Sequence, residues 1–206
     1  MIRFYFDFIS PYSYIASALI ARRQELGSLP WDPRPVVLGT ILSHRGVKAP
    51  GEIPERRRAA LTDALLLCKR YGVPFEGPPS HPFNSLWALR SVAALESPAD
   101  RLRALIAYFD AAWAGGRRID DPSTLREILS GLGIDQEVEE VGTSREMRQR
   151  TKSLTREAIE LGVFGVPTFA VEDVLFFGHD RLELLSEFHR GQVSLDREKL
   201  AELLAR

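Results

Sequence analysis

The chain has one cysteine, Cys68, in 206 residues. An intramolecular disulfide is therefore excluded, and nothing argues for an oxidising compartment. Lysine is almost as scarce, confined to Lys48, Lys69, Lys152 and Lys199. Arginine carries most of the positive charge, and the formal net charge is only −1. No global field draws nucleic acid or anionic lipid. The histidines, His44, His81, His179 and His189, fall at no metal-ligand spacing, so no metal is expected. No apolar run approaches the ~20 residues that span a bilayer. The opening "MIRFYFDF" is strand-like at once, without a basic region, apolar run and cleavage site. A soluble cytoplasmic protein is expected, with neither nucleic acid nor membrane as partner.

What is present is ordered in three parts. Ile2, Phe4, Phe6 and Phe8 alternate with Arg3, Tyr5, Asp7 and Ile9, the period of a strand. Ser10 stands at an N-cap position and Pro11 at the first helical position, predicting a helix from about Pro11 to Leu26, ended by Gly27. "WDPRPVVLG", Trp31 to Gly39, reads as a second strand with its prolines early, where an edge or strand start tolerates them. From about Pro54 to Arg150 the apolar spacing becomes helical. Leu61, Leu65 and Cys68 share one face of a helix that stops near Gly72. "HPFNSLWALRSVAAL", "RLRALIAYFDAAWAG" and "DPSTLREILSGLG" predict three more helices, the last capped by Asp121. The end returns to mixed character: a helix over "SREMRQRTKSLTREAIELG", short strands "VPTFAV" and "VLFFG" joined at Glu172-Asp173, then helices "DRLELLSEFHRG" and "REKLAELLAR". This predicts an α/β domain over residues 1–40 and 151–206, interrupted by an all-helical insertion over 41–150.

Two local motifs sharpen that order. One is the turn "SPYS", Ser10 to Ser13, between strand and helix. The other is "GVFGVPTF", Gly162 to Phe169, opening the third strand. With "FFGHDRLELL" from Phe177, they resemble the 2-hydroxychromene-2-carboxylate isomerases and the related kappa-class glutathione transferases, over nearly the whole chain from Ile2 to Leu185. The resemblance implies a thioredoxin-like fold interrupted by a helical insertion, a cis bond at Pro167, glutathione as cofactor, and a homodimer as the assembly of such relatives.

The turn's chemistry can be argued directly. Thiol–disulfide enzymes place Cys-x-x-Cys at this kind of junction, and here both outer positions are serine. A serine hydroxyl exchanges no disulfide, but it can donate to a sulfur brought by a ligand. The helix N-terminus behind it adds free N–H groups and a positive dipole end, which favour a thiolate. A thiol of pKa about 8.5 is about 3% ionised at neutral pH. Lowering that pKa by ~2 units takes about 2.7 kcal/mol. One charge-assisted hydrogen bond of ~1.5–3 kcal/mol plus a dipole contribution of ~0.3–1 kcal/mol supplies it.

Ser10 is thus the candidate catalytic thiolate donor, a role compatible with capping the helix. Ser13, inside the first turn, reads as structural. By the resemblance, Val166 before Pro167 pairs its backbone with the cysteinyl part of glutathione. Arg56 holds the glycyl carboxylate, or is one of a solvated Arg56-Arg57-Arg58 face. His179 and Asp180 meet the γ-glutamyl end, or Asp180 simply caps the following helix. The chain departs from its relatives at Val47, where an asparagine is usual, and at His179, where a small polar residue is usual. Cys68 reads as an inert core thiol and Asn84 as turn or cap chemistry. Trp87, Trp113, Tyr108 and Phe109 are core aromatics or the lining of an apolar cleft. The reaction implied is glutathione-dependent isomerisation of an aromatic conjugated enone acid. The rivals are glutathione transfer and a non-catalytic module that binds glutathione or a peptide.

Overall fold

A computed structural model describes residues 1–206. Its centre is a four-stranded sheet in the order β2-β1-β3-β4, built from β1 (Ile2–Phe6), β2 (Trp31–Pro35), β3 (Thr168–Val171) and β4 (Val174–Phe177). β1 runs parallel to β2 and antiparallel to β3, and β3 and β4 form a hairpin. Pro33 and Pro35 lie in β2, an edge strand, where a missing N–H costs no ladder bond on the open side. The sheet and its helices form the expected thioredoxin-like fold with a helical block between β2 and β3.

Helix α1 (Pro11–Arg22) starts where Ser10 caps it and Pro11 presets the first turn. The expected run to Leu26 breaks at Arg23, whose backbone is extended, and a single turn α2 (Gln24–Gly27) follows. The second strand stops four residues short of Gly39, because Leu38–His44 folds as helix α3. The insertion then supplies α4 (Pro54–Tyr71), α5 (Leu86–Ala94), α6 (Pro98–Phe109), α7 (Pro122–Gly131) and α8 (Val138–Thr143). Of the apolar face expected on α4, Cys68 is buried and Leu61 partly so, but Leu65 is 53% exposed. Ala64 takes the inward position instead. Asp121 caps α7 as expected, accepting from the Ser123 N–H at 3.3 Å. Ser144 caps α9 (Arg145–Leu161). The chain closes with α10 (Leu182–His189) and α11 (Arg197–Leu204).

Helices cover both faces of the sheet. On one face Ile2, Phe4 and Phe6 join α1, α10 and the insertion helices in one continuous apolar core, with Trp113, Tyr108 and Phe109 fully buried in it. On the other, Tyr5, Val36 and Ala170 pack against Ala158 of α9 and Ile41 of α3. The aromatics Trp113, Tyr108 and Phe109 are therefore core, and Trp87 is half-buried beside it. No helix is long and apolar enough to cross a membrane.

Candidate active site

The turn from β1 into α1 is a dense hydrogen-bonded structure. The Ser10 N–H donates to the Asp7 carbonyl at 3.0 Å, and the Tyr14 N–H to the Ser10 carbonyl at 3.1 Å. Ser10 Oγ accepts from the Ser13 N–H at 3.1 Å and donates to the Val166 carbonyl at 3.4 Å. The first bond is the helix cap. The second is at the outer limit of hydrogen-bond length, so the hydroxyl proton is only weakly committed. The N–H of Tyr12 has no partner within the protein, as expected for the first turn of a helix. Ser10 itself is only 5% exposed. Ser13 is fully buried, and its hydroxyl has no partner.

Val166 and Pro167 face this turn across a distance of more than 150 residues in sequence. The Val166–Pro167 bond is cis, as the resemblance implies. The Val166 N–H makes no hydrogen bond within the protein. The Pro167 carbonyl accepts from the Gly178 N–H at 2.9 Å, which brings the end of β4 beside the same loop. Gly178 has φ 105°, a left-handed conformation that lets the chain swing from β4 into a short 3₁₀ turn, His179–Arg181.

His179 is 9% exposed and its ring is stacked on Tyr12, centroids 5.9 Å apart and planes 10° apart. Its Nε2 has no partner. Burial lowers the His179 pKa, against the opposing pull of Asp180 and Asp63. Tyr12 donates from its hydroxyl to Asp63 Oδ2 of α4 at 2.9 Å, and burial raises its pKa to about 12. Ser10, Val166, Pro167, His179 and Tyr12 thus form one neighbourhood. Asp180 does not cap a helix: Gly178 stands at that position of the 3₁₀ turn and Arg181 at that of α10, and the exposed Asp180 pairs with Arg181 at 3.1 Å.

Arg56 is exposed on the first turns of α4 and makes no ion pair or hydrogen bond. It lies seven residues before Asp63 on nearly the same face, about 10 Å along the helix axis. Val47 is 47% exposed. Cys68 is 1% exposed, and burial pushes its thiol up to about 11, so it is a core group without nucleophilic character. Asn84 accepts from the Leu86 N–H at 3.1 Å, a local turn contact.

Two residues at the turn, Asp7 and His81, were given no site role in the reading of the sequence. Asp7 is buried beneath the turn, with Oδ1 accepting from Ser85 Oγ at 2.6 Å and Oδ2 from the Leu38 N–H at 2.9 Å. Burial raises its pKa despite these bonds. His81 lies against the turn, its Nε2 2.8 Å from the Ile9 carbonyl. Trp113 donates from its indole N–H to the Phe8 carbonyl at 2.9 Å. An acidic residue between two phenylalanines of a strand was the available signal for Asp7; His81 offered none. Outside the turn, Phe164 and Phe177, 49% and 45% exposed, pack with ring centroids 4.6 Å apart and planes tilted by 47°, beside the Val166 loop.

The family described as DsbA-like thioredoxin domain matches residues 1–189. The 2-hydroxychromene-2-carboxylate isomerase of Sphingobium xenophagum is 28% identical over 192 residues, covering 91% of this chain and 96% of that protein. Human glutathione S-transferase kappa 1 is 26% identical over 201 residues, covering 90% and 88%. Among solved structures, a 2-hydroxychromene-2-carboxylate isomerase superposes with a TM-score of 0.82 at 27% identity, over 93% of this chain and 94% of that one.

Proposed function

The chain belongs to the DsbA-like thioredoxin-domain family, and we propose that within it this protein is a glutathione-dependent isomerase of aromatic conjugated enone acids. The observation that carries the reading is the pairing of Ser10 with Val166. A hydroxyl stands at the head of α1, where thiol–disulfide enzymes carry a sulfur, and its proton is held only by a 3.4 Å contact to the Val166 carbonyl.

The residues fit a thiol tripeptide. Ser10 Oγ can turn its proton from Val166 to a sulfur, and the unpaired Tyr12 N–H adds a second donor at the positive end of the helix. Val166 offers an unpaired N–H and an acceptor carbonyl to an extended peptide backbone. The exposed carboxylate of Asp180 suits the α-ammonium of the γ-glutamyl end, with His179 packed beside it against Tyr12. Arg56, with no partner of its own, suits the glycyl carboxylate. When bound, glutathione supplies a thiolate that adds reversibly to a conjugated double bond and so permits rotation about it. The chain's own work is to lower the cost of that charge and to hold it beside the substrate. The exposed Phe164–Phe177 pair offers an apolar face for an aromatic ring.

The chain is about as similar to a named kappa transferase as to a named isomerase, so transfer is the second reading. It shares the addition and differs in releasing the conjugate. The test is turnover of a panel of aromatic enone acids with and without glutathione, with products weighed by mass spectrometry. Isomers of unchanged mass, formed only with glutathione, are expected. Turnover without glutathione would overturn the mechanism, and a stable adduct would assign transfer.

A further inference from the structure

The three residues that lead into Ser10 are each held by a side chain from the helical insertion. Ser85 Oγ donates to the Asp7 carboxylate at 2.6 Å, the Trp113 indole to the Phe8 carbonyl at 2.9 Å, and His81 meets the Ile9 carbonyl at 2.8 Å. A carbonyl accepts only, so Nε2 of His81 carries the proton and Nδ1 is a bare lone pair. That Nδ1 is buried and has no partner. The ring is fixed by the edge of Trp113, centroids 5.5 Å apart, and Gly51 lies beside its Cε1.

Of these three contacts, two are made by segments that already belong to the core. His81 is different: unlike the buried Ser85 and Trp113 it is only half-buried, and its bond falls on the peptide that carries the Ser10 N–H. We propose that His81, in its neutral Nε2–H form, is a positioning residue that holds the Ile9–Ser10 peptide so that the Ser10 hydroxyl is aimed at the ligand's sulfur. The proposal rests on the reading of Ser10 as the sulfur-facing group.

The arrangement also makes the clamp sensitive to acid. Protonating Nδ1 would place a charged N–H in a buried position with no acceptor, next to the positive charge of Arg57 from α4. Asp7, the nearest acid in the turn, has both oxygens engaged by Ser85 and backbone N–H groups. Burial accordingly lowers the His81 pKa, with Arg57 adding to the effect and the Ile9 bond opposing it. Below that pKa the ring is expected to leave its place and free the Ile9 carbonyl.

Two measurements test this. In the free protein, nitrogen NMR should find the Nε2–H tautomer at His81, and the amides of Ile9 and Ser10 should shift with the same midpoint as its ring. His81→Gln, which keeps an N–H donor, should abolish that midpoint. With glutathione bound, His81→Ala should raise the thiol pKa and reduce turnover by about tenfold. Its affinity for S-methylglutathione, which has no thiol to ionise, should change by less than about twofold, and His81→Gln should restore the thiol pKa. An Nδ1–H tautomer, Ile9 and Ser10 amides indifferent to the ring, or a normal thiol pKa in His81→Ala would overturn the proposal. If the wild-type protein binds no glutathione, the functional reading fails, and the free-protein titration alone decides the role of His81.

Discussion

Asp7 shows how a single side chain can tie several segments to one turn. Its two oxygens collect Ser85 from the insertion, the Leu38 N–H from the start of α3 and the Ile9 N–H at 3.3 Å. Burial outweighs these bonds and raises the carboxyl above its ordinary 3.8. The folded chain then keeps a proton that the unfolded chain has released. This contribution to stability is full below the ordinary value and is lost as pH rises through the raised one. Asp7→Asn should remove that slope, seen by urea unfolding at a series of pH values upward from about 4. It should also cost about 1–3 kcal/mol, because its amide NH₂ would meet a donor already aimed at the site. A parallel pH profile in the two proteins would deny Asp7 this role. In the sequence, strand alternation assigned Asp7 to the polar face with Arg3 and Tyr5. That rule presumes one wet face, and helices cover both faces of this sheet.

At the scale of elements, local chemistry announces most boundaries. Ser10-Pro11, Asp121-Pro122 and Ser144 each carry their cap in the sequence, and each opens a helix. The failures are places where tertiary packing decides. "VVLG" was read as strand, yet Leu38 begins α3, with its N–H satisfied by Asp7 rather than by a neighbouring strand. Helix α8 has no signal of its own and is defined by its fit to α5. Gly142 is the contact point: a Cβ there would stand 2.5 Å from Trp87 Cε3. Gly142→Ala should therefore destabilise the protein by about 1–3 kcal/mol through overpacking, despite alanine's better helix propensity. Trp87→Leu in the same chain should recover part of the loss. Equal urea midpoints for Gly142→Ala and wild type would show that α8 slides freely on α5.

For the whole molecule, the insertion and the sheet are one mechanical body as well as one core. Asp32 of β2, 3% exposed, accepts from Arg101 of α6 at 2.6 Å and from Arg34 at 2.7 Å. Asp32→Ala would strand the Arg101 guanidinium, which is 12% exposed, and should cost about 3 kcal/mol or more. Replacing Asp32 and Arg101 together by Leu and Met should recover much of it, because the buried guanidinium is then gone and Arg34, which is 30% exposed, still has Glu157 at 3.7 Å; a double variant as unstable as the single one would refute this account. The element order, and with it the fold, was legible in the sequence because strands, caps and breakers are local. Of the surroundings of Ser10, Val166 and Pro167 were implied by the resemblance, whereas the contacts of Asp7 and His81 were not legible, since they form only after folding. That geometry has a consequence for synthesis. Ser10 is made well before its partner Val166, which lies 156 positions later. β1 can pair with β2 soon after both are made, but its other edge must wait for β3. Through the whole of that interval the edge is an open template for wrong pairing. The insertion, made in the interval, is the part of the chain available to shelter it, and a ribosome that stops before residue 166 leaves a product with half a site.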